Sequence, residues 1–323
     1  MSSSGHNVGN KAAQEAGPEA VQEAVHEGHR DSAWIRAMPI VFVLIWSTGF
    51  IVARFGMPQS PPMKFMAVRF ALSILCFLPW ILLVKVPWPV QRVQWRHLAV
   101  TGVLMHVGYL GGVWAAIKAG MGPGLAALIV GLQPVLTAVW LSWGGGRVSH
   151  RQWAGLSLGF VGLVMVVSRK FGADGEAHWF NTALAVAALL AITAGTLYQK
   201  RFVAPCDVRT ASVIQLAAAL LATLPLALLE VETMQWNADL LGAMAWSVLV
   251  LTLGGSSLLY LLIQRGAAAS VTSLMFLVPP CTALLAWLLF AEPITAMTLS
   301  GTLIAAVGVS LVVRPAKPVT PPV

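Results

Sequence analysis

Charge is what this sequence has least of. Lys, Arg, Asp and Glu together make up 10% of its 323 residues, where a water-soluble globule carries roughly 25%. Carboxylates are scarcer than basic groups, 12 against 20, and none falls deep inside an apolar run. Glu15, Glu19, Glu23, Glu27 and Asp31 stand near the N-terminus; Asp174, Glu176, Asp207, Glu230, Glu232, Asp239 and Glu292 lie at the ends of apolar runs or between them. A sodium or proton relay through a buried Asp or Glu is therefore not expected. Cysteine is nearly absent as well: Cys76, Cys206 and Cys281 show no paired spacing, which argues against a disulfide framework or a zinc site. No Gly-x-x-x-x-Gly-Lys stretch occurs, so the chain carries no ATP-driven engine of that type. His6, His26 and His29 lack ligand-like spacing, and neither a metal nor a cofactor is expected.

Apolar length fills the space that charge leaves. The chain is 58% hydrophobic with a mean hydropathy of +0.78, the composition of an integral membrane protein. A spanning helix needs roughly 20 mostly apolar residues. Ten such runs can be read: Met38 to Gly56, Lys64 to Val84, His97 to Ala119, Gly124 to Trp143, His150 to Ser168, Phe180 to Lys200, Val208 to Leu229, Leu240 to Ile263, Ala268 to Phe290 and Thr295 to Val313.

Those runs are written twice. Sliding the chain by 146 positions sets Gly49 on Gly195, Pro79 on Pro225, Gly108 on Gly254, Gly120 on Gly266, Pro134 on Pro280, Gly155 on Gly301 and Gly162 on Gly308. Met38 to Ser168 holds 16 glycines and Leu184 to Arg314 holds 7, so chance predicts about one glycine coincidence where five occur. Repeats of this kind decide the architecture before local detail does. The expected fold is all-α and integral to the membrane: ten transmembrane helices as two inverted five-helix repeats, at 38–168 and 184–314, an odd number of spans reversing the second copy. A disordered cytoplasmic tail over 1–37, an outer linker over 169–183 and a second cytoplasmic tail over 315–323 complete the division. The tail carries no signal-peptide pattern. With the N-terminus inside, fourteen of the 20 Lys and Arg residues face the cytoplasm and five face out, the positive-inside bias of a chain with both termini cytoplasmic. The net charge of +8 is then topological, and no nucleic-acid partner is needed.

Polar residues inside apolar helices are the candidate site. Trp46-Ser47-Thr48-Gly49 reads as a polar break at mid-membrane depth, and Ser47 aligns with Thr193; the same residues also suit plain helix packing. Arg69 aligns with Gln215 and either snorkels to the surface or faces a cavity. His106 and Tyr109, three apart, share a helix face, while Thr252, Ser256, Tyr260 and Gln264 form a polar stripe suited to interhelical bonding or to a wet path. Pro134 and Pro280, next to Gln133 and Pro279, should bend or break their helices. Gly155 to Gly159 matches the G-x-S-x-G pattern of serine hydrolases, but in a membrane helix instead of a strand-to-helix elbow. Ser157 would then need His106 opposite it.

Pro39 to Arg54 (PIVFVLIWSTGFIVAR), Arg69-Phe70, Gln133-Pro134 and Val278 to Val313 (VPPCTALLAWLLFAEPITAMTLSGTLIAAVGVSLVV) resemble EamA-type members of the drug/metabolite transporter superfamily. The resemblance covers Met38 to Val313. It implies ten helices in two inverted halves around a central cavity, and secondary transport of small metabolites across the bacterial inner membrane, often outward. Gly146-Arg147 departs from the acidic residue that the family often repeats there. The expected activity is export of a small polar or zwitterionic metabolite, an amino acid or derivative, by alternating access. Trp46, Ser47, Arg69, His106, Tyr109, Gln133, Thr193, Gln215, Thr252, Ser256 and Tyr260 are the expected substrate contacts. The lipid bilayer and a small-molecule substrate are the expected partners, and a homodimer is compatible with the sequence. An intramembrane serine hydrolase and a non-transporting membrane scaffold are the alternatives.

Overall fold

The computed structural model describes residues 37–38, 40–143, 149–170, 176–255, 258 and 277–313. Two compact units are present, Met1–Val41 and Phe42–Val323. Of the first, only residues at the start of the first helix are described, so the expected tail lies outside the described residues, as do Ser256, Tyr260 and Gln264.

Among the described residues the chain is helical, with no β-strand. In order the helices are α1 (Ile40–Gly56), α2 (Pro62–Val84), α3 (Arg92–Lys118), α4 in two segments (Pro123–Val130 and Gln133–Trp143), α5 (His150–Lys170), α6 (Trp179–Phe202), α7 (Val208–Leu229), α8 (Ala238–Gly255), α9 (Val278–Phe290) and α10 (Ala296–Val313). Five of them, α2, α3, α6, α7 and α8, are long and apolar enough to cross a membrane; the others contribute shorter apolar stretches of 10–17 residues.

The distribution of polarity inverts that of a soluble bundle. Leu75, Leu82 and Leu83 on α2, Phe160 and Val161 on α5, and Leu221 and Leu228 on α7 are exposed, whereas Ser47, Arg69, Ser73, Thr101, Thr193, Thr223, Thr252 and Thr282 are buried. Apolar side chains outward and hydroxyls inward suit hydrocarbon surroundings, where exposed polar groups are the costly ones. The protein is a multi-pass membrane protein.

Contacts between the two copies are reciprocal. α5 packs on α10, α2 on α7 and α4 on α9, each against its own repeat partner. Where α5 meets α10, a Cβ at Gly162 would strike the Gly301 carbonyl oxygen and one at Gly308 would lie 2.6 Å from the carbonyl oxygen of Gly155. These are one contact seen twice, since 146 positions separate Gly155 from Gly301 and Gly162 from Gly308. Likewise Gly49 faces Leu251 between α1 and α8 while Gly195 faces Met105 between α6 and α3. Small residues allow this approach of helix backbones, which is where association in a bilayer gains its dispersion energy.

Two helices depart from α geometry at matching places. Val103–Gly111 in α3 and Trp246–Gly255 in α8 are π-helical, with wide turns that often mark functional sites. Elsewhere the expected breaks need correction. α1 and α6 run unbroken past Ser47 and Thr193. The Ser47 hydroxyl donates to the carbonyl of Val43 at 2.8 Å, and that of Thr193 to Leu189 at 2.7 Å, so each satisfies itself on its own helix. α4 is interrupted at Gly131 and Leu132, just before Gln133-Pro134. Pro134 and Pro280 both sit in the first turn of a helical segment, where a missing N–H leaves no bond unmade. Pro79 and Pro225 lie inside α2 and α7, which continue past them.

Candidate functional site

The site is built on α1, α2, α3 and α8. A cavity of about 590 Å³, counted out to its open mouth, is lined by Trp46, Gly49 and Phe50 of α1, Arg69 of α2, His106, Tyr109, Leu110, Val113 and Trp114 of α3, and Leu251 and Thr252 of α8. Its walls are aromatic and aliphatic, with a few polar groups converging, as is usual for small-molecule sites.

Arg69 is its one charged side chain among the described residues. It is 4% exposed, which rules out snorkelling to the surface. Its Nε and Nη2 donate to the Thr252 hydroxyl at 3.4 and 3.2 Å. Thr252 in turn donates to the carbonyl of Ser247 at 2.8 Å, five residues back along the π-helical turn, so its oxygen is presented lone pairs first. The guanidinium carbon stands 5.7 Å from the Trp114 ring centroid, close enough for cation–π attraction. Its Nη1 has no hydrogen-bond partner among the described residues.

His106 is held edge-on to Phe70 at 5.7 Å between ring centroids, with the Gln215 side chain beside it. Its Nδ1 has no partner. The Tyr109 and Trp46 side chains lie beside each other on the lining. An unpaired guanidinium N–H and an unpaired imidazole nitrogen beside one hollow can receive a polar solute; a bidentate anion suits the planar fork of an arginine best.

Of the expected contacts, Trp46, Arg69, His106, Tyr109 and Thr252 come together here. Gln215 stands behind His106 instead of on the lining. Ser47 and Thr193 turn their hydroxyls to their own helices, and Gln133 donates to the Thr196 hydroxyl at 2.9 Å between α4 and α6. Ser157 is exposed on α5 and takes no part in the lining that contains His106. Phe50 and Trp114 are the aromatic walls that sequence reasoning missed. Phe50 follows Trp46 by four residues, a signal that was present. Trp114 follows Tyr109 by five, a spacing that a regular α-helix does not place on one face; between them the π-helical stretch gives way to α-helix at Gly112.

Near the cavity the two copies are tied together. Both oxygens of Glu230, after α7, accept backbone N–H groups at the start of α2, from Met63 at 2.9 Å and Lys64 at 2.8 Å. Lys118 at the end of α3 pairs with Glu232 at 2.6 Å. At the other end of the bundle the Gln94 amide both donates to the Ala204 carbonyl at 2.7 Å and accepts its N–H at 3.1 Å.

Known proteins resemble this chain over most of its length. YvbV of Bacillus subtilis (strain 168), described as an uncharacterized transporter, is 26% identical over 281 residues, 84% of this chain and 88% of that protein. A protein of Salmonella typhimurium named as a probable amino-acid metabolite efflux pump is 23% identical across 84% of this chain and 92% of its own length. YedA of Escherichia coli (strain K12), described as an uncharacterized inner membrane transporter, is 25% identical over 54% of this chain and 56% of that protein. One crystal structure shares the fold with a TM-score of 0.60 at 20% identity, over 86% of this chain and 96% of that one. The pattern of the EamA-like transporter family matches twice, at residues 34–168 and 180–314. With most of its length accounted for by those two matches, the chain belongs to the EamA-like transporter family.

Proposed function

We propose that this protein is a secondary transporter of the bacterial inner membrane that exports a small polar or zwitterionic metabolite, an amino acid or derivative, by alternating access. Its ten helices act as ten transmembrane spans in two inverted five-helix repeats, with both termini cytoplasmic. The reciprocal contacts support a two-fold relation between the halves, and an odd number of spans per copy puts the axis in the membrane plane. The efflux pump of Salmonella supports the substrate class.

The observation that carries the reading is the unpartnered Nη1 of Arg69 at the wall of an apolar cavity. A buried charge in a membrane protein without its full set of partners marks a solute pathway by default. Arg69 holds the carboxylate of the solute, Trp46 and Trp114 flank it, and His106 and Tyr109 complete its hydrogen bonds. The hydrolase alternative needed Ser157 opposite His106, and the exposed position of Ser157 on α5 does not favour it.

The test is solute efflux from vesicles containing the purified protein. Arg69→Ala should abolish it while the variant still extracts as a monodisperse, helical protein. Wild-type efflux from that variant would remove Arg69 from the site.

A further inference from the structure

For an exporter that holds its solute at Arg69, the reading on which this inference rests, the charge balance of the cavity narrows the solute to one kind of ion. Among the described residues Arg69 is the one charged group on the lining, and no carboxylate joins it. None could come from elsewhere in the membrane helices. All twelve Asp and Glu residues lie in the N-terminal stretch or at helix ends and loops. Three of those at the helix ends are engaged: Glu230 with the start of α2, Glu232 with Lys118, Asp207 with Arg209.

A zwitterion entering such a site would bring an ammonium group with no carboxylate to meet it, and buried charges of that kind are strongly disfavoured. Of the aromatic faces on the lining, that of Trp114 already has the guanidinium over it. Trp46, Phe50, Leu110, Val113 and Leu251, which share the described lining with His106, Tyr109 and Thr252, suit an apolar or aromatic body.

We infer that the solute is a monocarboxylate anion with an apolar or aromatic body and no free ammonium group, as in an N-acylated amino acid, and that it leaves the cell as an electrogenic uniport driven by the membrane potential. Arg69 stays with the protein, so one negative charge moves per solute. An inside-negative potential favours its exit without a coupling ion, and no acidic residue lies deep within an apolar run to relay one. Each 59 mV is worth a factor of ten for a single charge, so about 120 mV sustains a gradient of ~100-fold.

The experiment uses purified full-length protein in liposomes loaded with N-acetyl-phenylalanine, phenylalanine or phenylalanine amide, with a potassium gradient and valinomycin setting the potential. N-acetyl-phenylalanine should leave at least ~10-fold faster than phenylalanine, the cationic amide should not move, and an inside-negative potential should accelerate the acetyl form while the opposite sign retards it. Arg69→Gln should abolish that selectivity and Arg69→Lys should retain part of it. Faster efflux of phenylalanine, or acetyl-phenylalanine efflux that follows a pH gradient and ignores the potential, overturns the inference and leaves a transporter. Efflux of neither above protein-free vesicles also overturns it, and thermal stability of the purified protein then judges the reading beneath. Stabilisation by phenylalanine alone keeps a site for zwitterions, and stabilisation by neither removes both.

Discussion

The Arg69 guanidinium crosses from one half of the protein to the other and ends on the Thr252 hydroxyl, 3.2 Å from Nη2 and 183 positions along the chain. The same offset of 146 that aligns Arg69 with Gln215 aligns Thr252 with His106, and the Gln215 side chain lies beside His106. Each α2-type helix thus reaches the α3-type helix of the opposite copy at one level. The two pairs are equivalent in place and unlike in chemistry, and that difference gives a symmetric scaffold a site with one cationic end.

Thr252→Val keeps the shape and removes the acceptor of two Arg69 donors. Hydrogen bonds to a charged group contribute about 1.5–3 kcal/mol, so the variant should melt earlier by that measure, and Thr252→Ser should stay within ~0.5 kcal/mol of wild type. Denaturant or thermal melting of the detergent-purified proteins checks it. Equal stability of Thr252→Val and wild type would mean that Arg69 finds another partner.

The contact between α5 and α10 predicts matched costs at positions related by the repeat. Gly162→Ala and Gly308→Ala should each destabilise by about 1–3 kcal/mol, because the added methyl meets backbone of the facing helix and the backbones must separate. Gly242→Ala is the control: nothing lies within 4 Å of a Cβ there, and within a helix the change should be neutral or stabilising by up to about 1 kcal/mol. A large loss at Gly162 with none at Gly308 would contradict the reciprocity of the halves.

Glu230 caps α2 from outside its own half. Removing it as Glu230→Ala leaves the N–H groups of Met63 and Lys64 without that acceptor and should cost about 0.5–2 kcal/mol, the range for lost N-terminal caps. Glu230→Gln retains one acceptor oxygen and should recover part of the loss. Melting of the three proteins side by side decides it.

At the start of α7 the Arg209 side chain, bonded to both Asp207 oxygens at 3.0 and 2.8 Å, holds that carboxyl below its ordinary value, with the Arg209 N–H adding to the effect. A carboxylate depressed in the folded state contributes stability that is present above the unfolded value, near 4, and lost as pH falls through the folded one. The pair is partly exposed, so the contribution is at most about 1 kcal/mol. Melting temperature should drop less steeply below pH 4 for Asp207→Asn than for wild type; parallel curves would show that the pair contributes nothing.

The membrane class and the twofold repetition were legible because each is a property of composition and spacing summed over many residues. The helix starts were less so. α3 begins at Arg92 and not at His97, because Gln94, too polar to extend an apolar run, is held there by its pairing with Ala204. In the candidate site, Arg69, His106, Tyr109 and Thr252 stood out as polar groups in apolar helices. Ser47 stood out equally and turned inward to Val43, while Gly49, two residues on, lines the cavity.

What the sequence by itself determined is the solvent the chain suits, the copying of one unit into two, and an inventory of intramembrane chemistry with one arginine and no acid, since none of these depends on how a helix is turned. Only the tertiary structure decided which side of each helix faces the hollow. That rotation is set by how closely small residues of one copy seat against backbone of the other and by the wide π-helical turns of α3 and α8, both of which act between residues too far apart, or spaced too unlike 3.6, for periodicity to register.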